Sequence, residues 1–246
     1  MTATAALESG GADRHRYEVH RSVHGGTARA AVFGVSDGLV TNVSLIIGLA
    51  GAHPAATTVR LAGLAALIAG ACSMAVGELV SMGAQRALQQ RELDVERREI
   101  QQFPEAEHRE LALIYQRRGL APDLAHQVAT AMMRDEHTAV ETHAREELGI
   151  DPSDLGSPAA AAASSFVSFA VGAAVPLAPW LATAGTGALV ATVVLGALMS
   201  FLVGAALARF TRRGWFWAAI RQLGLSALAA GIAFGVGTGI GHTTLR

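Results

Sequence analysis

Apolar positions along this chain fall into five long stretches, separated by one strongly polar interval and several short links. A helix that crosses a bilayer needs roughly 20 mostly apolar residues. Residues 28–52 satisfy this, with Arg29 at the edge and Asp37 inside. Residues 61–84 satisfy it with Glu78 inside. The stretch from Leu155 to Ala208 has no charged side chain and is too long for one crossing. Pro176, Pro179 and the Gly-rich residues 184–187 predict its division into spans over 159–177 and 185–207. A fifth span covers 217–241, where Arg221 lies one turn inside and can reach the interface with its long side chain. Trp180, Trp215 and Trp217 sit at segment ends, where amphipathic rings favour the headgroup zone. The pattern predicts an all-α, polytopic membrane protein with five transmembrane helices.

The polar interval reads as a separate unit of three helices. The second span has no helix breaker after Gly83, so it runs on through residues 85–102 until Phe103-Pro104 ends it. A second helix is expected over 105–118, stopped by Gly119. Pro122 and Asp123 open a third, expected to run to Leu148 and to be closed by Gly149. The resulting organisation is an N-terminal arm (1–27), the first two spans (28–88), an acidic helical domain (89–151) and the last three spans (152–246). A three-helix unit of this size has little core of its own and gains stability from a second copy or from bound metal.

Charge placement orients the chain. Arg14, Arg16, Arg21 and Arg29 precede the first span, and Arg209, Arg212 and Arg213 link the fourth to the fifth. The links between the first and second and between the third and fourth spans are nearly free of charge. The positive-inside rule then places the N-terminus and the acidic domain in the cytoplasm. The N-terminal stretch has no short apolar core of a signal peptide, so membrane entry is expected to rest on the spans themselves.

Composition adds constraints. The chain is 51% apolar, mainly through Ala, Leu, Val and Ile, which suits closely packed membrane helices. A single cysteine, Cys72, excludes a disulfide framework or a thiolate metal site. The net charge of −1 conceals a strong asymmetry, because fourteen of the twenty acidic residues lie within 91–151. There is no Walker-type loop, no nucleophile elbow and no basic stripe for nucleic acid. Gly231, Gly235 and Gly239 recur at four-residue spacing, which predicts a helix-packing face.

Candidate chemistry lies in the carboxylates. Glu96 and Glu99 are i,i+3, as are Glu107 and Glu110, so each pair shares a helix face. A tight turn at Phe103-Pro104 brings the faces together, and four converging carboxylates call for protons or a divalent cation. Met132, Met133 and Glu136 add thioether and carboxylate candidates on the third helix, a mixture that suits Fe(II) better than Mg or Ca. The competing reading is a solvated acidic face paired with Arg97, Arg98 and Arg109. His108, His137 and His143 are possible auxiliary ligands, and His15, His20 and His24 read as part of a solvated basic arm. Within the spans, a carboxylate costs ~2.5–3.5 kcal/mol at mid-membrane on insertion scales, so Asp37 and Glu78 call for a reason. Met74 lies one turn before Glu78 on the same face and could line the same path. The structural alternatives are a snorkelling Glu78, or an Asp37 paired with Arg29 or Arg86.

Two runs carry a resemblance. Val32-Phe33-Gly34-Val35-Ser36-Asp37-Gly38-Leu39-Val40-Thr41-Asn42 and Ala71-Cys72-Ser73-Met74-Ala75-Val76-Gly77-Glu78-Leu79-Val80-Ser81 resemble the first- and second-helix signatures of the vacuolar iron transporter family, which includes the yeast calcium-cross-complementer type. Pro104-Glu105-Ala106-Glu107 and Arg145-Glu146-Glu147-Leu148-Gly149-Ile150-Asp151 fit as well, and the resemblance covers residues 23–241. It implies a homodimer with five spans per chain that exchanges Fe(II) for protons along a path at the dimer interface, lined by the first helix. Asp37 matches the family's pathway aspartate and Met74 its pathway methionine. Glu96, Glu99, Glu107, Glu110, Met132, Met133 and Glu136 match its metal-binding positions. The connection between the domain's second and third helices looks shorter than in plant members, which bears on the alignment of Met132, Met133 and Glu136. For a bacterial-looking chain the implied direction is export across the plasma membrane. No prosthetic group is implied: Fe(II), manganese or another divalent metal is substrate and bound ion. The rival readings are a membrane-anchored iron buffer and a ferroxidase-like di-iron protein, although di-iron bundles use Glu-x-x-His pairs where this chain has Glu-x-x-Glu.

Overall fold

The computed structural model describes residues 26–211 and 214–244; residues 1–25 of the N-terminal arm, with His15, His20, His24 and arginines 14, 16 and 21, lie outside them, as do Arg212 and Arg213. The described residues form eight helices: α1 (Gly26–Gly51), α2 (Ala56–Gln102), α3 (Pro104–Arg117), α4 (Pro122–Met132), α5 (Glu136–Glu146), α6 (Pro158–Ala182), α7 (Gly185–Thr211) and α8 (Trp215–Thr244). Five of them (α1, α2, α6, α7 and α8) are long and apolar enough to cross a membrane. The chain is thus an all-α polytopic membrane protein, as the pattern of apolar stretches predicts.

α2 holds 47 residues. At 1.5 Å per residue it is about 70 Å long, more than twice a hydrocarbon core of about 30 Å. Its apolar first half packs among the spans, and its charged second half carries the acidic domain.

α1 is central, packing on α6 and α8. The α1–α6 approach is close enough that a methyl group at Gly38 would meet the Phe169 carbonyl, and one at Gly172 the Val35 carbonyl. Asn42, fully buried, donates from Nδ2 to the carbonyls of Ala173 (2.7 Å) and Gly63 (3.4 Å), tying α1 to α6 and α2. Trp180 donates to Thr192 Oγ1, which donates to the Pro176 carbonyl, and Ser200 bonds Ser226 between α7 and α8. Interhelical hydrogen bonds of this kind matter in lipid, where no water competes and the hydrophobic drive between helices is absent. Arg60 donates to the carbonyls of Trp180 and Thr183 at the end of α6, satisfying acceptors the helix leaves open.

Three expectations need correction. Pro176 and Pro179 do not end α6, which continues to Ala182; the break falls at Thr183 and Ala184, before Gly185 in the left-handed region. Within one chain, α8 does not pack on α1 through Gly231, Gly235 and Gly239, where an added methyl group would meet nothing within 4 Å among the described residues. The contact is made instead by Gly237 and Gly241, which lie against Gly48 of α1 and Ala52 just beyond its end. The expected third domain helix is two: α4 ends at Met132, and Asp135 caps a new helix by accepting from Thr138 N at 2.9 Å. The acidic unit therefore has four helical segments rather than three, with small cores at Leu111, Ala112 and Ala129 and at Ile100, Ala139 and Val140.

Candidate metal centre and intramembrane cleft

The α2–α3 turn does what Phe103-Pro104 predicts: α2 stops at Gln102, α3 starts at Pro104, and their acidic faces come together. Glu96 from α2 and Glu107 from α3 are joined by His143 of α5 and Glu147 at its C-cap. One ligand atom from each lies within 4.8 Å of the others. His143 Nδ1 is 2.9 Å from Glu96 Oε1, 3.4 Å from Glu147 Oε2 and 3.7 Å from Glu107 Oε2. His143 is fully buried, Glu96 is 3% and Glu107 8% exposed, and Glu147 forms the open side.

Electrostatics mark this as an anionic pocket short of cations. Burial raises the Glu107 carboxyl above its ordinary range, and the charges of Glu96, Glu110 and Glu99 add to this against the opposing His143. Burial, then Glu96 and Glu110, raise Glu147. Burial alone would lower His143, but its contacts with Glu96, Glu147 and Glu107 raise it. Glu96 Oε1 and His143 Nε2 are buried without a well-aligned hydrogen-bond partner. Three carboxylates and an imidazole form a donor set suited to Fe(II), Mn(II), Co(II) or Zn(II).

Of the residues predicted from sequence, Glu96 and Glu107 are in the cluster. Glu99 and Glu110 are exposed at its rim and act on Glu107 through their charge. Met132 and Met133 instead pack on the domain's apolar cores. Glu136 accepts from Gln101 Nε2 at 2.9 Å and lies 3.7 Å from Arg97 Nε, outside the cluster. The cluster is completed by His143, expected only as an auxiliary ligand, and by Glu147, which sequence reasoning missed. Their i,i+4 spacing on one helix face was the available signal.

A second site lies among the spans. Arg29, Ser36 and Asp37 of α1, Met74 and Glu78 of α2 and Gln222 of α8 line one cleft of about 560 Å³. The α1 residues recur at the spacing of one helical face, as do Met74 and Glu78. Gln222 donates to Ser36 Oγ at 2.7 Å, joining α8 to α1 beside the acidic position. Arg29 pairs with Glu78 at 3.1 Å and not with Asp37. Arg86, the other candidate partner, donates to the Gly156 carbonyl. Asp37 is exposed on the flank of the single chain and has no hydrogen-bond or ion-pair partner among the described residues.

The comparisons agree with this architecture. The chain is 37% identical to a vacuolar iron transporter of Acanthamoeba castellanii, over 89% of this chain and 82% of that protein. It is 31% identical to vacuolar iron transporter 1 of Eucalyptus grandis, over 91% and 90% of the two chains. It is 32% identical to vacuolar iron transporter 1 of Oryza sativa subsp. japonica, over 94% and 96%. Residues 28–238, which span all five membrane helices and the acidic domain between them, match the VIT family, and the chain belongs to that family.

Proposed function

We propose that the chain is a transporter, not an enzyme, that exports Fe(II) or a similar divalent metal such as Mn(II) from the cytoplasm in exchange for protons. The observation that carries this reading is the shared cleft of Asp37, Met74 and Glu78, in which the Asp37 carboxylate has no partner among the described residues. An ionisable group in a span is costly facing lipid, and such groups mark ion paths. A second copy laid over this flank would cover Asp37 and close the cleft into a path, so the working unit is a homodimer. The relatives' names, vacuolar iron transporter, favour iron as the cargo.

In this mechanism the cytoplasmic cluster of Glu96, Glu107, His143 and Glu147 collects the metal, with Glu99 and Glu110 adding negative potential at its rim. The ion passes to Asp37 and Met74. Ionised Asp37 binds it and accepts a proton once the ion has left for the far side. The N-terminus and the acidic domain face the cytoplasm, and the membrane is a bacterial plasma membrane.

The test is Fe(II) flux into proteoliposomes with and without an imposed pH gradient. Flux that rises with the gradient, with a matching change in lumenal pH, supports proton-coupled exchange. Tight binding with flux no higher than in empty liposomes would leave a membrane-anchored buffer, and metal-dependent oxygen consumption would point to a ferroxidase-like protein.

A further inference from the structure

The cleft among the spans contains its own cation. Arg29 is on α1, and its guanidinium reaches Glu78 Oε1 of α2 at 3.1 Å. The two ends of the pair are unequally held: the Glu78 side chain is 15% exposed and the Arg29 side chain 56%. Glu78 is fixed in the wall, and Arg29 is the member free to swing out. Among the described residues, the cleft lining carries two carboxylates, Asp37 and Glu78, and one guanidinium. With Arg29 in place a divalent ion overfills this negative charge; with Arg29 withdrawn, the two carboxylates balance the ion. Arginine stays protonated at any working pH, so only displacement removes its charge from Glu78.

We propose that Arg29 is a tethered counter-ion that holds Glu78 when the cleft has no metal and is displaced from it by the entering ion. Glu78 then belongs to the metal path, and Arg29 sets the apparent affinity for metal by competing for it. The inference rests on the transport reading above and names a competitor within that same cleft.

The experiment is initial-rate Fe(II) flux in proteoliposomes for the full chain, reading KM and kcat separately. Arg29→Gln is expected to lower KM by about two- to fivefold, the range that exposed ion pairs contribute, without raising kcat in proportion. Arg29→Lys, with a compact ammonium in place of the planar fork, is expected to give a KM between the two, and it carries the test if Arg29→Gln does not fold. In a Glu78→Asp background the carboxylate remains but stands one methylene further from Arg29, and the effect of Arg29→Gln on KM is expected to shrink. An unchanged or raised KM in Arg29→Gln would overturn the proposal, as would an equal fall in both backgrounds, which would mark a general field effect. Asp37→Asn separates the two readings: full flux in that variant would sink the pathway itself, whereas lost flux alongside an unmoved Arg29→Gln KM would sink only the counter-ion.

Discussion

His143 Nδ1 lies 2.9 Å from Glu96 Oε1, and both side chains are sealed from solvent between α2, α3 and α5. The imidazole is the only basic group in a cluster whose other members are carboxylates. In the mechanism proposed above it serves as a neutral ligand when metal is bound, while its carboxylate contacts favour its protonated form in the metal-free cluster. Replacing it by alanine is expected to weaken metal binding at least about tenfold, or ~1.4 kcal/mol. It also leaves Glu96 buried without compensation, a loss of about 3–5 kcal/mol in the metal-free protein. Titration calorimetry with Co(II) and thermal melting in detergent measure the two effects. A His143→Ala protein with wild-type affinity would remove His143 from the ligand set.

The same cluster sets a pH dependence whose sign can be worked out. Glu107, Glu147 and His143 all have folded-state values raised above their ordinary ones of 4.5, 4.5 and 6.5. For each, the folded protein binds protons more tightly than the unfolded chain, so stability falls as pH rises through the raised value. The carboxyl contributions are fully present below 4.5 and the histidine contribution below 6.5. Both are lost upward from there. Metal binding requires the deprotonated groups and must run the other way. Metal-free protein is expected to lose stability from mildly acid to neutral pH, while affinity for Co(II) rises over that interval. Melting and calorimetry across a pH series, each with and without metal, check both slopes.

Much of this could be read from the sequence, for identifiable reasons. The spans and the long α2 follow from runs of apolar residues and from the lack of a breaker before Pro104, signals that packing does not override. The approach of Glu96 to Glu107 was legible because an i,i+3 face and a Pro-marked turn are local features. Met132, Met133 and Glu136 lie outside this cluster, and the helix break between Met133 and Glu136 was not legible because Asp135 was read as a mid-helix residue. Its carboxylate instead caps α5, and the new helix carries His143 and Glu147, not Met132 and Met133, into the acidic cluster. The Arg29–Glu78 pair joins residues 49 positions apart, and no periodicity within one helix encodes which carboxylate an arginine chooses.

Asp37 is the decisive position for the transport reading. Asp37→Asn preserves shape and removes the charge that would bind metal and exchange a proton. The expected outcome is flux at the level of empty liposomes, with metal still bound by the cytoplasmic cluster. Calorimetry on the same preparation separates lost transport from lost collection. If flux disappears and cluster binding disappears with it, the variant has disturbed the fold and Asp37 has not been isolated.

The glycines of α1 and α8 give a contrast that tests the helix packing directly. At Gly38 an added methyl group meets the Phe169 carbonyl, which belongs to the backbone of α6 and cannot rotate away. Gly38→Ala therefore pushes α1 from α6, with an expected loss of about 1–3 kcal/mol. It also shifts the helix that carries Asp37, one residue away, so flux should fall together with melting temperature. At Gly231 the same methyl group meets nothing within 4 Å among the described residues. Gly231→Ala is expected to leave the fold of one chain unchanged within about 0.5 kcal/mol. Differential melting of the two variants in detergent reads both numbers. Equal destabilisation would mean that Gly231 is packed against something a single chain does not supply, and a second copy would be the first candidate to examine by cross-linking.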